Sequence, residues 1–381
     1  MKITKVETLR FPSNIDYCYV LIHTDEGITG IGETYHDSFP PEQVIHRFGR
    51  EILRGSDPRN IEQLWSLMFR RSSFHGNQGA EMRAISAIDM ALWDTLGKVL
   101  EVPVYRLLGG ACRERVPVYF SGIYDGVETS RQAYSDWSNQ CLEMGWKAGK
   151  TARFFGDFYP MNMRGHPFGH ASGHISLEDL KKGVERFGWI RDAVGDRLEI
   201  ALDLHASFNV PSAIRICRAI EGLNPLFVEE PVQPHNVAAL KEVSRSVRVP
   251  ICTGERLMSR WAFRDLLEQQ VCDYIMPDLA WTGGISEVKK IAHMAETYYL
   301  PINPHNYGPL TCMALIHVMA SVPNANYLEF IARELGRWNT YLDEPIEVKQ
   351  GTLDLPTRPG LGREFDRSRL KEAQRTVAWE L

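Results

Sequence analysis

Asp203, Glu229 and Glu255 stand at equal intervals of 26 residues, and each closes a short apolar run: LEIALD, PLFVE and VPICTGE. The beat continues with Asp278 ending DYIMPD, His305 ending YYLPINPH and Glu329 inside NYLEF, at intervals of 23, 27 and 24. A repeat of about 25 residues, an apolar strand followed by an amphipathic stretch, is one β/α unit. Several in succession close into a parallel barrel whose chemistry lies at the C-terminal ends of its strands. The spacing therefore gathers six polar residues at one pocket. Three of them, Asp203, Glu229 and Glu255, are carboxylates on consecutive strands, the donor set that a hard cation such as Mg²⁺ takes. One such carboxylate would more simply cap a helix or pair with a surface cation. Three in matching positions point to a metal site. Their charge exceeds that of a 2+ ion, which suits a substrate that brings its own carboxylate and gains negative charge in the transition state.

A chain of 381 residues with 44% hydrophobic content is long enough for a barrel and a second domain of roughly 100 to 150 residues. Residues 1–113 do not keep the barrel beat: KITKVETLRF, YCYVLIHTDEG and ITGIGETY alternate like antiparallel strands, and three helical patterns follow. They predict a separate α+β domain. The barrel is expected over 114–335, and the tail 336–381 is expected to return to the N-terminal domain. Between Lys150 and Asp203 the beat fails, because FFGDFYPMNMRGHPFGHASGHISL (154–177) is inserted. A loop that long in a domain this dense with motifs predicts a lid over the barrel mouth or a plain insertion. A net charge of −5 offers no footprint for nucleic acid or an anionic membrane. Seven scattered cysteines without a C-x-x-C pair, and no apolar run of membrane length, predict a cytoplasmic protein without disulfides.

The ordered set D-x-H, VEEP, TGE, MPD and PH after strands three to seven resembles the enolase superfamily, and within it the mandelate racemase branch. GIGET, the SAIDMALWD helix and PGLG resemble the capping domain of that family. The resemblance covers essentially the whole chain. It implies a (β/α)₇β TIM-like barrel under an α+β cap, one Mg²⁺ on Asp203, Glu229 and Glu255, abstraction of the proton α to a carboxylate, and assembly as a homo-oligomer. His305 and Asp278 match the family's dyad, in which a carboxylate on one imidazole nitrogen raises the basicity of the other. His205 completes D-x-H, which in that family marks sugar-acid dehydratases, with the histidine as the acid for the departing hydroxyl. Period two along a strand puts His205 on the same face as Asp203, about 7 Å away.

Racemases of this branch carry K-x-K at the end of strand two, with the second lysine as an opposing base. Here the segment is Lys150-Thr151-Ala152, so that base is absent and Lys150 remains for the substrate carboxylate. Glu329 matches the last-strand contact to that carboxylate. Arg153 and Tyr159 open the insertion, where mannonate dehydratases of this group use a tyrosine supported by a cation. Whether Tyr159 or His305 is the C2 base stays open at this point. His36, in a cap loop, is within reach of the barrel mouth as a substrate contact. Together these residues predict a dehydratase of a small acid sugar (galactonate, mannonate or gluconate type). The alternatives are an epimerase or cycloisomerase with a second base from the insertion, or a catalytically weak sugar-acid-binding paralogue.

Overall fold

Alternation near the N-terminus builds a sheet with two different faces. Strands β1 (Ile3–Phe11), β2 (Asn14–Thr24) and β3 (Thr29–Thr34) pair antiparallel, and the C-terminal strand joins them beyond β1. The computed structural model describes residues 1–12, 14–122, 130–152 and 173–380. On β2, Cys18, Val20 and Ile22 share a core with the cap helices α1 (Phe39–Phe48), α2 (Ile61–Ser72) and α3 (Ala80–Val99). The intervening Tyr17, Tyr19 and Leu21 belong to the main barrel core. On β3 the division is sharper. Gly30 and Gly32 lie so close to the α3 carbonyls of Ala91 and Ala87 that any Cβ would collide. Ile31, Glu33 and Tyr35 point the other way, all buried. The small residues of GIGET let a helix approach one side of the strand while the large ones reach the barrel.

A short helix α4 (Val104–Leu107) leads into the barrel. Its strands are β4 (Arg115–Ser121), β5 (Ala148–Thr151), β6 (Glu199–Asp203), β7 (Val228–Glu229), β8 (Ile251–Thr253) and β9 (Tyr274–Ile275), all parallel neighbours in that order. Between them run α5 (Arg131–Glu143), α6 (Leu177–Val194), α7 (Val210–Ile220), α8 (Val237–Ser246) and α9 (Ser259–Gln269), then α10 (Leu279–Thr282) and α11 (Gly284–Glu296). Four of these helices begin the same way: Ser130, Ser176, Asn209 and Asn236 each accept a bond from the backbone N–H three residues on. Such caps satisfy donors that the first turn leaves unpaired. Inside the barrel, Tyr119, Phe227 and Met276 pack among Ala148, Ala201 and Cys252, so large and small side chains fill the interior together.

The seventh strand is reduced to Ile302, bridged in parallel to Ile275 on one side and Ala325 on the other. Pro301 and Pro304 flank it and cannot donate to a ladder, which keeps it short. α12 (Pro309–Ser321), every residue of which is buried, follows, and then β10 (Leu328–Phe330) pairs with β4 and closes the ring. The expected barrel under an α+β cap is therefore the observed architecture.

After α13 (Leu335–Asn339) the tail does two things. Its strand β11 (Thr352–Asp354) runs antiparallel along barrel strand β4, whereas β12 (Gln374–Glu380) pairs with β1 in the cap. The TLD strand thus braces the barrel rather than the cap sheet. The PGLG turn is tied to α3, with Asp94 accepting from Leu361 N at 2.7 Å and from Ile31 N at 2.9 Å. No helix among the described residues is long and apolar enough to cross a membrane.

Candidate active site

Parallel register aligns the strand ends. Asp203 pairs directly with Glu229 across β6 and β7, Glu255 lies just past β8, Asp278 caps α10 past β9, and Glu329 lies in β10. Lys150 projects from β5 into their midst. Asp203, Glu229, Glu255, Asp278, Glu329, Lys150 and His305 are all buried. Three of the carboxylates surround one ammonium: Lys150 Nζ is 2.6 Å from Glu229, 2.9 Å from Glu329 and 3.5 Å from Asp203. Burial opposes the charge on Lys150, but Glu229 and Glu329 hold its pKa well above the usual lysine value. Burial and the neighbouring carboxylates push Glu229 well above the ordinary range. Asp203 moves the other way, because His205 and Lys150 outweigh its burial. Ser121, at the end of β4, donates to Glu329 at 2.5 Å.

The two histidines lie on opposite sides of this cluster. His305 Nδ1 is 2.5 Å from Asp278 Oδ2, and its Nε2 faces Glu255 at 3.6 Å. Burial disfavours the imidazolium, yet Glu255, Glu329 and Asp278 push the pKa of His305 up to about 10. Charge in the carboxylate cluster therefore governs how readily that ring stays neutral. His205 Nε2 is 3.1 Å from Asp203 Oδ2. It arrives there by a different route from the expected strand alternation. β6 ends at Asp203, and His205 and Ala206 adopt left-handed backbone angles (φ 47° and 54°). The turn brings the His205 backbone N–H to Asp203 Oδ1 at 2.7 Å and folds its ring back onto the same carboxylate. Burial lowers the pKa of His205, against the pull of Asp203.

The cap contributes the wall beside His305. His36, with φ 53°, packs its ring at a tilt against that of Tyr307, centroids 4.2 Å apart, and lies 6.1 Å from Trp281, whose ring is 5.3 Å from that of His305. Burial pushes the imidazole of His36 down to about 4. Arg83 of α3 donates to the His36 carbonyl at 2.7 Å and covers Trp281 at 4.7 Å. Arg153 and Tyr159 lie outside the described residues, as do His166 and His170 of the insertion.

Two family descriptions match the chain: "Mandelate racemase / muconate lactonizing enzyme, N-terminal domain" over residues 8–109, and "Enolase C-terminal domain-like" over 143–369. The chain belongs to the enolase superfamily. Its place is in the mandelate racemase branch. A D-xylonate dehydratase of Haloferax volcanii is 33% identical over 96% of this chain and 87% of its own. A D-galactonate dehydratase of Variovorax paradoxus is 34% identical over 98% of this chain and 95% of its own. Among solved structures, a member of the enolase superfamily from Salmonella Typhimurium superposes with a TM-score of 0.91 at 31% identity, covering 99% of both chains. A mandelate racemase/muconate lactonizing enzyme-like protein from Rubrobacter xylanophilus gives 0.88 at 36% identity over 97% of both.

In this enolase-superfamily chain the strand-end carboxylates suit a divalent cation by chemistry and by charge. As the side chains stand, no three acidic, imidazole or thiol groups among the described residues converge as a metal cage. Lys150 lies between Asp203 and Glu229, and Glu255 pairs with Arg256 at 2.6 Å. The ammonium and a cation therefore compete for the same oxygens. One oxygen, Glu229 Oε1, is buried with no hydrogen-bond partner among the described residues, an acceptor that a cation would satisfy. Sequence reasoning missed Tyr35, Ser121 and the Arg256–Glu230 ion pair. Tyr35 was within reach, since it continues the alternation of Ile31 and Glu33.

Proposed function

We propose that the chain is a Mg²⁺-dependent hydro-lyase that dehydrates an aldonate to a 2-keto-3-deoxy acid. The observation that carries this reading is the placement of two imidazoles on opposite sides of one buried carboxylate cluster, His305 on Glu255 and His205 on Asp203. Asp203, Glu229 and Glu255 would hold the metal. The chemistry that Mg²⁺ supplies when bound is stabilisation of the negative charge that builds on the substrate carboxylate. In its neutral form His305 takes the C2 proton at Nε2, while Asp278 holds Nδ1–H and fixes the tautomer. His205 donates a proton to the 3-hydroxyl as its C–O bond breaks, and water leaves. The remaining enol takes up a proton at C3 and becomes the 2-keto acid, so the balance is loss of one water without redox change. Glu329 and Lys150 orient the substrate carboxylate, and His36 contacts its hydroxyls. D-xylonate and D-galactonate, the substrates named for the two relatives, head the candidates.

An epimerase that uses the second lysine of K-x-K as its opposing base is not favoured. Position 152 is alanine, and Lys150 is engaged as an ammonium by three carboxylates. Incubation of the Mg²⁺-loaded protein with a panel of aldonates tests the reading, with 2-keto-3-deoxy product followed by NMR. Folded, metal-loaded protein that forms no such product from any of them overturns it.

A further inference from the structure

Asp278 is the carboxylate partner of His305, yet it does not serve His305 alone. Its Oδ2 also accepts a bond from the hydroxyl of Tyr35 at 2.6 Å, and its Oδ1 has no hydrogen-bond partner among the described residues. Tyr35 belongs to the cap, one residue beyond β3, and it is fully buried. The same hydroxyl accepts from the backbone N–H of Tyr307 at 3.2 Å. The carbonyl of Tyr307 in turn accepts from the hydroxyl of Tyr17, on β2, at 2.5 Å. Two tyrosines on the barrel-facing side of the cap sheet thus grip both ends of one residue, two positions past His305. Only Tyr35 touches the dyad.

We propose that Tyr35 is a positioning residue that sets the His305–Asp278 pair from the capping domain, so that the cap builds the proton-abstracting base as well as covering the mouth. The proposal rests on the assignment of His305 as the base. A phenol that donates to Oδ2 fixes the rotation of the carboxylate and shares the electron density offered to His305 Nδ1–H. Its other bond ties that carboxylate to the backbone that carries His305. Removal of the hydroxyl frees Asp278 to turn, and an error of about 1 Å in a catalytic group can cost on the order of 10²-fold in rate.

The test compares Tyr35→Phe with Tyr17→Phe in the Mg²⁺-loaded protein. Each variant removes one buried hydroxyl that bonds cap to barrel, but only the first touches Asp278. A short Nδ1–H···Oδ2 bond gives a far-downfield proton resonance, which His305→Asn identifies by deleting it. Tyr35→Phe is expected to shift that resonance, and Tyr17→Phe to leave it in place. With whichever of D-xylonate and D-galactonate the wild type turns over, Tyr35→Phe should lower kcat roughly tenfold to hundredfold with KM little changed. Tyr17→Phe should keep kcat near that of the wild type. An unmoved resonance or unchanged kcat in Tyr35→Phe overturns the proposal, and so do equal effects in the two variants. Wild-type protein inactive on every aldonate defeats the dehydratase assignment instead, and the resonance comparison then decides the role of Tyr35 alone.

Discussion

The two sides of the barrel mouth are built by different means. On the strand-seven side, His305 is braced by Asp278, flanked by Trp281, and tied to another domain through the bond from Tyr35 to Asp278. On the strand-three side, His205 leans on its own strand's Asp203 through a left-handed turn, and its side chain is 21% exposed against 11% for His305. A base that must strip a weakly acidic carbon needs fixed geometry, and a second domain provides it. An acid that assists a leaving hydroxyl can be held by local structure. The contrast teaches that, among the described residues, the cap braces the histidine proposed as the base and not the one proposed as the acid.

The sharpest way to break this picture is to remove what both sides share. Glu229→Gln, or EDTA, should cut turnover by about 10⁴-fold or more, since a metal supplies several kcal/mol and each 1.4 is tenfold. EDTA should act reversibly, and activity retained in metal-free protein would end the assignment. Next come the two imidazoles. His305→Asn should lower kcat on the order of 10³-fold and abolish exchange of the C2 proton with solvent deuterium. His205→Asn should cost about 10²-fold in dehydration while exchange persists, so NMR of the substrate separates the two sides. If exchange survives His305→Asn, the base is elsewhere, and Tyr159 becomes the residue to replace. With Ala152 in place of a second base, matched C2 epimers such as gluconate and mannonate should differ in kcat/KM by roughly 10²-fold or more. Interconversion of the two epimers would be evidence for a base on the far side.

The smallest expected effect concerns the seam between cap and barrel. Asp89 of α3 accepts from Ser286 N at 3.0 Å and from Ser286 Oγ at 2.5 Å, and burial pushes its carboxyl up to about 7. The folded state therefore holds that proton more tightly than the unfolded chain, whose aspartate titrates near 4. The stability contributed by Asp89 is complete below that value and is lost as pH rises to about 7. Asp89→Asn should flatten the fall in melting temperature over this window, by about 2 °C or more. Parallel melting curves for the two proteins from acid to neutral pH would show that the seam does not titrate.

Much of the strand-three side was legible in the sequence, because Asp203, Glu229 and Glu255 repeat with the β/α unit. Period and register follow from local rules. The route of His205 was not legible, since a left-handed turn replaces strand alternation where β6 stops. The strand-seven side was half legible. Asp278 and His305 keep the beat, but their anchor Tyr35 lies 243 residues before Asp278, where only the docking of two domains brings it in. Lys150 shows a different limit. Its place on β5 was clear, but its engagement with three carboxylates depends on the total charge of a buried cluster, which no single strand encodes. The pairing of β11 with β4 likewise depends on tertiary packing of the tail.

One pairing has a consequence for how the protein is made. Lys5 on β1 lies opposite Glu380 on β12, so nearly the whole chain separates two strands that touch. While the ribosome is still working through the barrel, β1 has β2 on one side and an open row of backbone donors and acceptors on the other. An unpaired edge of that kind is a template for pairing with other chains. Contacts so distant in sequence also close late, after local elements have formed. The strand that seals β1 is therefore made long after it, and nascent chains are most prone to associate with one another in the interval before β12 docks.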